Sequence, residues 1–152
     1  MVPSYIERET VIAAPIDVVW GVLTDPGHIA TWFADTAELD LRPGGAGRLV
    51  WTGRHTAELR VEQVDPPHRF SFRWESPSGT EPVSGNSLLV EFTLIADGEG
   101  TRLRVVESGL RELDWSDERK SGYAEDHAEG WKTLLGRLAE LAPQRVREAA
   151  RS

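Results

Sequence analysis

His127 is the side chain of this 152-residue sequence best suited to moving a proton. It opens the string HAEGWKTLLGRLAEL (127–141), whose apolar residues recur at helical spacing. At about 100° per residue, Tyr123, His127, Gly130, Trp131, Leu134, Leu135, Leu138 and Leu141 share one arc, while Asp126, Glu129, Lys132, Thr133, Gly136, Arg137 and Glu140 take the rest. An imidazole partly desolvated on such an arc can accept, donate or transfer a proton near neutral pH. Glu107, in VVESG, falls in phase with Leu103 and Val105 and is the candidate carboxylate partner. The plainer readings stand beside this one: a core histidine satisfied by one hydrogen bond, and a solvated glutamate at a strand end.

Other chemistry finds little support. His28, His55, His68 and His127 are scattered, with no second histidine at ligand spacing, and cysteine is absent, so no metal site is expected. GGAGRL and DGEGTR lie between expected strands and read as hairpin turns, not as dinucleotide fingerprints. The sequence has no P-loop, no G-x-S-x-G and no H-E-x-x-H, and no cofactor is expected. Arg48, Arg54 and Arg73 read as outward or rim charges.

The helical arc changes character along its length. Leu134, Leu135, Leu138 and Leu141 are ordinary core residues, whereas Tyr123, His127, Gly130 and Trp131 form an aromatic wall with a gap at the glycine, where another group can approach closely. Gly136 falls on the solvent side. The facing wall is expected from Leu49, Trp51, Phe72, Trp74 and Phe92, with Trp32 and Phe33 near the mouth. Tryptophan supplies six of the twelve aromatics, a bulky and rigid set suited to a ligand pocket. The alternative is that the same rings fill a core.

These residues need elements to hold them. YIERETVIA (5–13) reads as a strand that stops at Ala14-Pro15. PIDVVWGVLTDP carries Ile16, Val19, Trp20 and Leu23 at helical spacing, and Asp25-Pro26 breaks it before a second short helix, GHIATWF. Strand signals then run from Thr36 to Ser108; Phe70, Phe72 and Trp74 alternate with Arg69, Ser71 and Arg73, as in an antiparallel meander with one apolar face. SPSGTEPVSGN (76–86) reads as a mobile hairpin loop. The last helix is expected to begin between Ser116 and Gly122 and to end near Pro143, leaving 143–152 as a frayed basic tail.

With 17 Lys and Arg against 25 Asp and Glu, the formal charge is −8, which disfavours nucleic acid and anionic lipid as partners. No apolar run is long enough for a signal peptide or a membrane span, which points to the cytoplasm. The length suits one domain over 1–152.

The order strand, two short helices, six strands and long C-terminal helix resembles the START-like (SRPBCC) helix-grip superfamily. More narrowly, the sequence is similar to prokaryotic domains related to the activator of the ninety-kilodalton heat-shock-protein ATPase. The matching strings are API-VVW-VLTDP-H---WF (14–33), RPGG-GRLVW (42–51), VEQVDPPHRFSFRW (61–74), VEFTLIADGEGTRLRVVESGL (90–110) and H-EGW--LL-RL (127–138). The resemblance implies an α+β helix-grip fold, a curved seven-stranded antiparallel sheet around the last helix, with a cavity between them for hydrophobic or amphipathic molecules. Such families include lipid and hormone binders, polyketide cyclases and co-chaperones, so the fold alone does not choose a function. The first expectation is a binding protein for a small apolar or aromatic molecule. The others are a cyclase- or hydrolase-like enzyme using His127 with Glu107 or Tyr123, and a chaperone cofactor, in stress response for example, that meets a chaperone or a second copy of itself through an exposed patch.

Overall fold

Strand-forming residues alternate wherever one face of a strand must be buried and the other wetted. The computed structural model, which describes residues 2–77 and 79–151, shows this alternation in a sheet. Its elements are β1 (Tyr5–Ile12), α1 (Ile16–Thr24), α2 (Pro26–Trp32), β2 (Thr36–Leu39), β3 (Ala46–Trp51), β4 (His55–Asp65), β5 (Arg69–Trp74), β6 (Leu88–Asp97), β7 (Gly100–Ser108) and α3 (Asp117–Arg151). The seven strands lie in the order β1-β7-β6-β5-β4-β3-β2, every neighbouring pair antiparallel. This is the α+β helix-grip architecture expected.

The register places the functional row. Val61 lies opposite Phe72, Phe72 opposite Val90, Val90 opposite Glu107, and Glu107 opposite Ile6. All five are buried, so the sheet's inner face carries one carboxylate in an otherwise apolar row. The outer face is wet: Glu7 pairs with Arg104, and Glu9 with Arg102 at 3.1 Å. Arg48 and Arg73 pair with Glu58 and Glu62 at 3.6 and 3.4 Å.

The two short helices anchor the aromatic residues that follow them. Asp25 caps α2, its carboxylate accepting from the backbone N–H of Gly27 and His28 at 2.8 and 3.3 Å. Pro26 starts that helix, where a missing N–H costs nothing. At its end the Trp32 indole donates to the Val22 carbonyl at 2.8 Å, tying α2 back to α1. Phe33 follows and is turned inward.

The helix α3 does not stop at Pro143, as its sequence predicts, but continues to Arg151. Proline there removes one backbone hydrogen bond. Leu138, Ala142 and Val146, four residues apart, continue the stripe that packs on the core, and Arg145 pairs with Glu148 at 3.0 Å, so tertiary packing carries the helix through. Of the expected tail, 143–151 are helical, and Ser152 lies outside the described residues. A short 3-10 turn, Leu110–Glu112, links β7 to α3 and was not expected from the sequence. No helix among the described residues is long and apolar enough to cross a membrane.

Candidate functional site

Glu107 reaches the interior because it sits two residues beyond Val105 on the buried face of β7, where a period of two returns every side chain to the core. A buried carboxylate must be compensated. Its Oε2 accepts from the Trp74 indole at 2.8 Å and from the Tyr123 hydroxyl at 2.6 Å; its Oε1 accepts from the Trp131 indole at 2.9 Å and from His127 Nδ1 at 3.0 Å. A carboxylate has about four lone-pair sites, and the protein fills them. Burial alone would push the carboxyl pKa up, but the His127 hydrogen bond and charge, with the Tyr123 and Trp131 bonds, outweigh it and hold Glu107 below its ordinary 4.5. The Tyr123 phenol is held protonated well above its ordinary 10.0 by burial and by the Glu107 charge.

The same contacts fix the histidine. An ionised carboxylate only accepts, so Nδ1 of His127 carries a hydrogen and Nε2 is the nitrogen left for another partner. The ring is stacked on Tyr123, centroids 3.6 Å apart, and meets Trp74 edge-on at 5.9 Å. Its side chain is 27% exposed against 1% for Glu107: one member of the pair faces outward and the other inward.

Beside them lies a pocket of about 440 Å³ between β3, β5 and α3, lined by Phe33, Trp51, His55, Trp74, Glu75, Tyr123, Asp126, His127, Gly130, Trp131 and Leu134. Phe33, Trp74 and Trp131 contact one another with ring centroids 5.6 to 5.8 Å apart and make its floor. The Trp51 indole donates to the Phe33 carbonyl at 2.8 Å and fixes one wall. A Cβ built on Gly130 meets nothing within 4 Å, so the missing side chain leaves open space. Among the described residues, no group of three His, Cys, Asp or Glu side chains is arranged to hold a metal ion.

Residues 13–142 match the profile of the family described as Activator of Hsp90 ATPase homolog 1-like protein. The chain belongs to this family. Among curated proteins none matches the sequence. Among solved structures, this AHSA1-like chain is similar to DynU16, a protein of the dynemicin biosynthetic locus (27% identity, TM-score 0.73, covering 91% of this chain and 46% of that one). It thus spans less than half of DynU16. It is also similar to CalU16 from Micromonospora echinospora (26% identity, TM-score 0.67, 94% and 79% covered). The Aha1 dimer from Colwellia psychrerythraea shares the fold (16% identity, TM-score 0.72, 90% and 93% covered).

In this AHSA1-like domain the candidate residues divide into two groups. Phe33, Trp51, Trp74, Tyr123, His127, Gly130 and Trp131 meet at the pocket. Trp32, Leu49, Phe72 and Phe92 do not: they lie beneath its floor, around a void of about 10 Å³, too small for a ligand. The Phe33, Trp74 and Trp131 rings, in contact with one another, stand between the two spaces, and Phe33 borders both. Glu107 proves to be neither solvated nor free, and Trp74 and Trp131 are its donors as well as walls.

His55 and Glu75 line the pocket without having been singled out from the sequence. His55 Nε2 lies 3.1 Å from Glu75 Oε1, and the His55 ring stacks on Trp51 at 5.8 Å. The signal was the turn after Trp51, which sets Trp51 and His55 opposite each other in the β3-β4 pair. Gly136, by contrast, is exposed and free of neighbours. Gly136→Ala is expected to raise stability by about 0.5 to 1 kcal/mol through helix propensity, with no effect on the pocket; urea titration of the variant tests this.

Proposed function

We propose that the chain is a small-molecule binding protein that holds a flat apolar or aromatic ligand between β3, β5 and α3, with His127 Nε2 meeting its polar group. The pocket itself carries the reading: about 440 Å³, walled by aromatic rings, open where Gly130 has no side chain. That volume lies in the usual range for small-molecule sites, and an apolar wall with few polar groups is their usual chemistry. The likeness to DynU16, a protein of a biosynthetic locus, agrees with a small-molecule ligand.

Titration with 4-methylumbelliferone, a flat aromatic with one hydroxyl, should give a saturable heat by calorimetry and a saturable change in tryptophan emission, since Trp51, Trp74 and Trp131 border the pocket. A panel of flat aromatics producing neither signal would sink the reading.

One observation favours a second reading, in which the site is catalytic. A buried carboxylate that engages one nitrogen of a histidine on the wall of a cavity is the pairing used to orient a general base. In that case His127→Gln binds a neutral ligand within a few fold of the parent protein yet turns nothing over; turnover that survives the change removes His127 from the chemistry. The interaction-module reading has weaker support, because the exposed apolar residues Val11 and Ile95 stand on either side of Arg102 and form no continuous patch across it. A chaperone or second-copy contact therefore stays behind small-molecule binding.

A further inference from the structure

We infer that the site has two chambers and takes an aromatic ligand carrying an uncharged, hydroxyl-rich extension, the aromatic part beneath His127 and the extension beyond His55 and Glu75. This rests on the small-molecule reading above and adds the shape and chemistry of the second half of the ligand.

A second cavity, of about 720 Å³, lies under the loop that follows β5 and beside the segment that leads into α3. It is the larger of the two, and His55 and Glu75 line both. The chambers therefore meet at that pair. Glu75 has φ of 65°, the left-handed region that a non-glycine residue occupies at some cost. The turn it makes at the end of β5 leaves Trp74 on the inner chamber while Ser76 and Pro77 pass to the outer one. Strain at one of the two residues shared by the cavities points to a constraint on what passes between them.

The outer wall differs in kind from the inner one. Asp114 accepts and Arg119 donates, its guanidinium 3.8 Å over the Trp115 ring. The Thr80 hydroxyl, whose hydrogen goes to the Pro77 carbonyl, still has a lone pair to accept with, whereas the Asn86 amide is engaged by Val83 and Glu81 within the loop. A wall that mixes donors with acceptors matches hydroxyl groups, each of which does both. With Glu58 paired to Arg48 on the sheet's outer face, two carboxylates, Glu75 and Asp114, stand against the one guanidinium of Arg119, a balance that disfavours an anionic extension. The inner chamber holds the aromatic end by contrast, since its floor is three packed rings.

Calorimetry on the full chain with three probes separates the possibilities: 4-methylumbelliferone, its β-glucoside and its phosphate monoester. The expected result is that the glucoside binds about tenfold more tightly than the parent, and the phosphate more weakly than the parent. Asp114→Ala and Arg119→Ala, both exposed positions whose replacement leaves the core intact, should each erase most of the glucoside's gain while leaving the Kd of the parent unchanged. If the parent binds and the glucoside binds no better, or if the gain survives both substitutions, the two-chamber site is wrong and the inner pocket stands. If none of the three probes binds, the inner pocket falls and the extension with it.

Discussion

Glu107→Gln is expected to lower the unfolding free energy by about 2 to 4 kcal/mol, although it changes one atom. A carboxylate accepts at both oxygens, but an amide offers one oxygen and an NH2 group that only donates. Each oxygen of Glu107 receives one indole N–H, from Trp74 at Oε2 and from Trp131 at Oε1. Indole nitrogen cannot accept. The Tyr123 hydroxyl and a neutral His127 could turn to suit the amide, but whichever way it is flipped one tryptophan faces a donor and is left unsatisfied in the core.

The pH dependence has a definite sign. Glu107 is held below 4.5 in the folded chain, so its contribution is present above the unfolded value and is lost as pH falls through the folded one. Urea unfolding from pH 7 to pH 3 should show the parent protein losing stability steeply at the acid end and Glu107→Gln losing less. A cost under ~1 kcal/mol for the substitution, or an equal acid slope in both proteins, would mean that the carboxylate is not held as described.

Gly130→Leu should separate folding from binding more sharply than any other single change. A leucine at a helical position leans over the turn before it, here toward Asp126 and His127, both on the pocket wall. Because a Cβ at Gly130 meets nothing within 4 Å, the side chain enters open space and not a packed core. Stability should stay within ~1 kcal/mol of the parent, since helix propensity gained offsets apolar surface left partly wet. Affinity for 4-methylumbelliferone should fall by at least tenfold, ~1.4 kcal/mol or more. A loss of ~1 to 3 kcal/mol in stability, the ordinary cost of overpacking, would show that the glycine serves close packing of helix on sheet.

Much of the fold could be read from local pattern. Phe70, Phe72 and Trp74 against Arg69, Ser71 and Arg73 already specify an inward and an outward face, and the leucines of α3 specify its buried stripe. The site was legible only in part, because it depends on contacts between distant segments. Nothing local shows that Trp74 and Trp131, separated by 33 and 24 residues from Glu107, both point their N–H at it. Nor does periodicity distinguish Trp74, which borders the pocket, from Phe72, which lies below its floor, since both belong to the same face of β5. That boundary is drawn by Phe33, from the end of α2. Pro143 misled for the opposite reason: a strong local stop signal was overridden by packing at Val146.

The placement of Glu107 among Val61, Phe72, Val90 and Ile6 also bears on how the chain finds its structure. Three of its four donors, Tyr123, His127 and Trp131, are spaced four residues apart on α3. If the helix slid by one turn, His127 would take the place of Tyr123, Trp131 that of His127, and Leu135 that of Trp131, so the charge would lose a donor. Leucines alone tolerate such a slip, because apolar contact has no direction. A buried charge does not tolerate it. The carboxylate thus acts as an alignment mark for the docking of the last helix. The pocket beside it, walled on one side by α3, is complete only when that alignment is made, after β7 and α3 have both been synthesised.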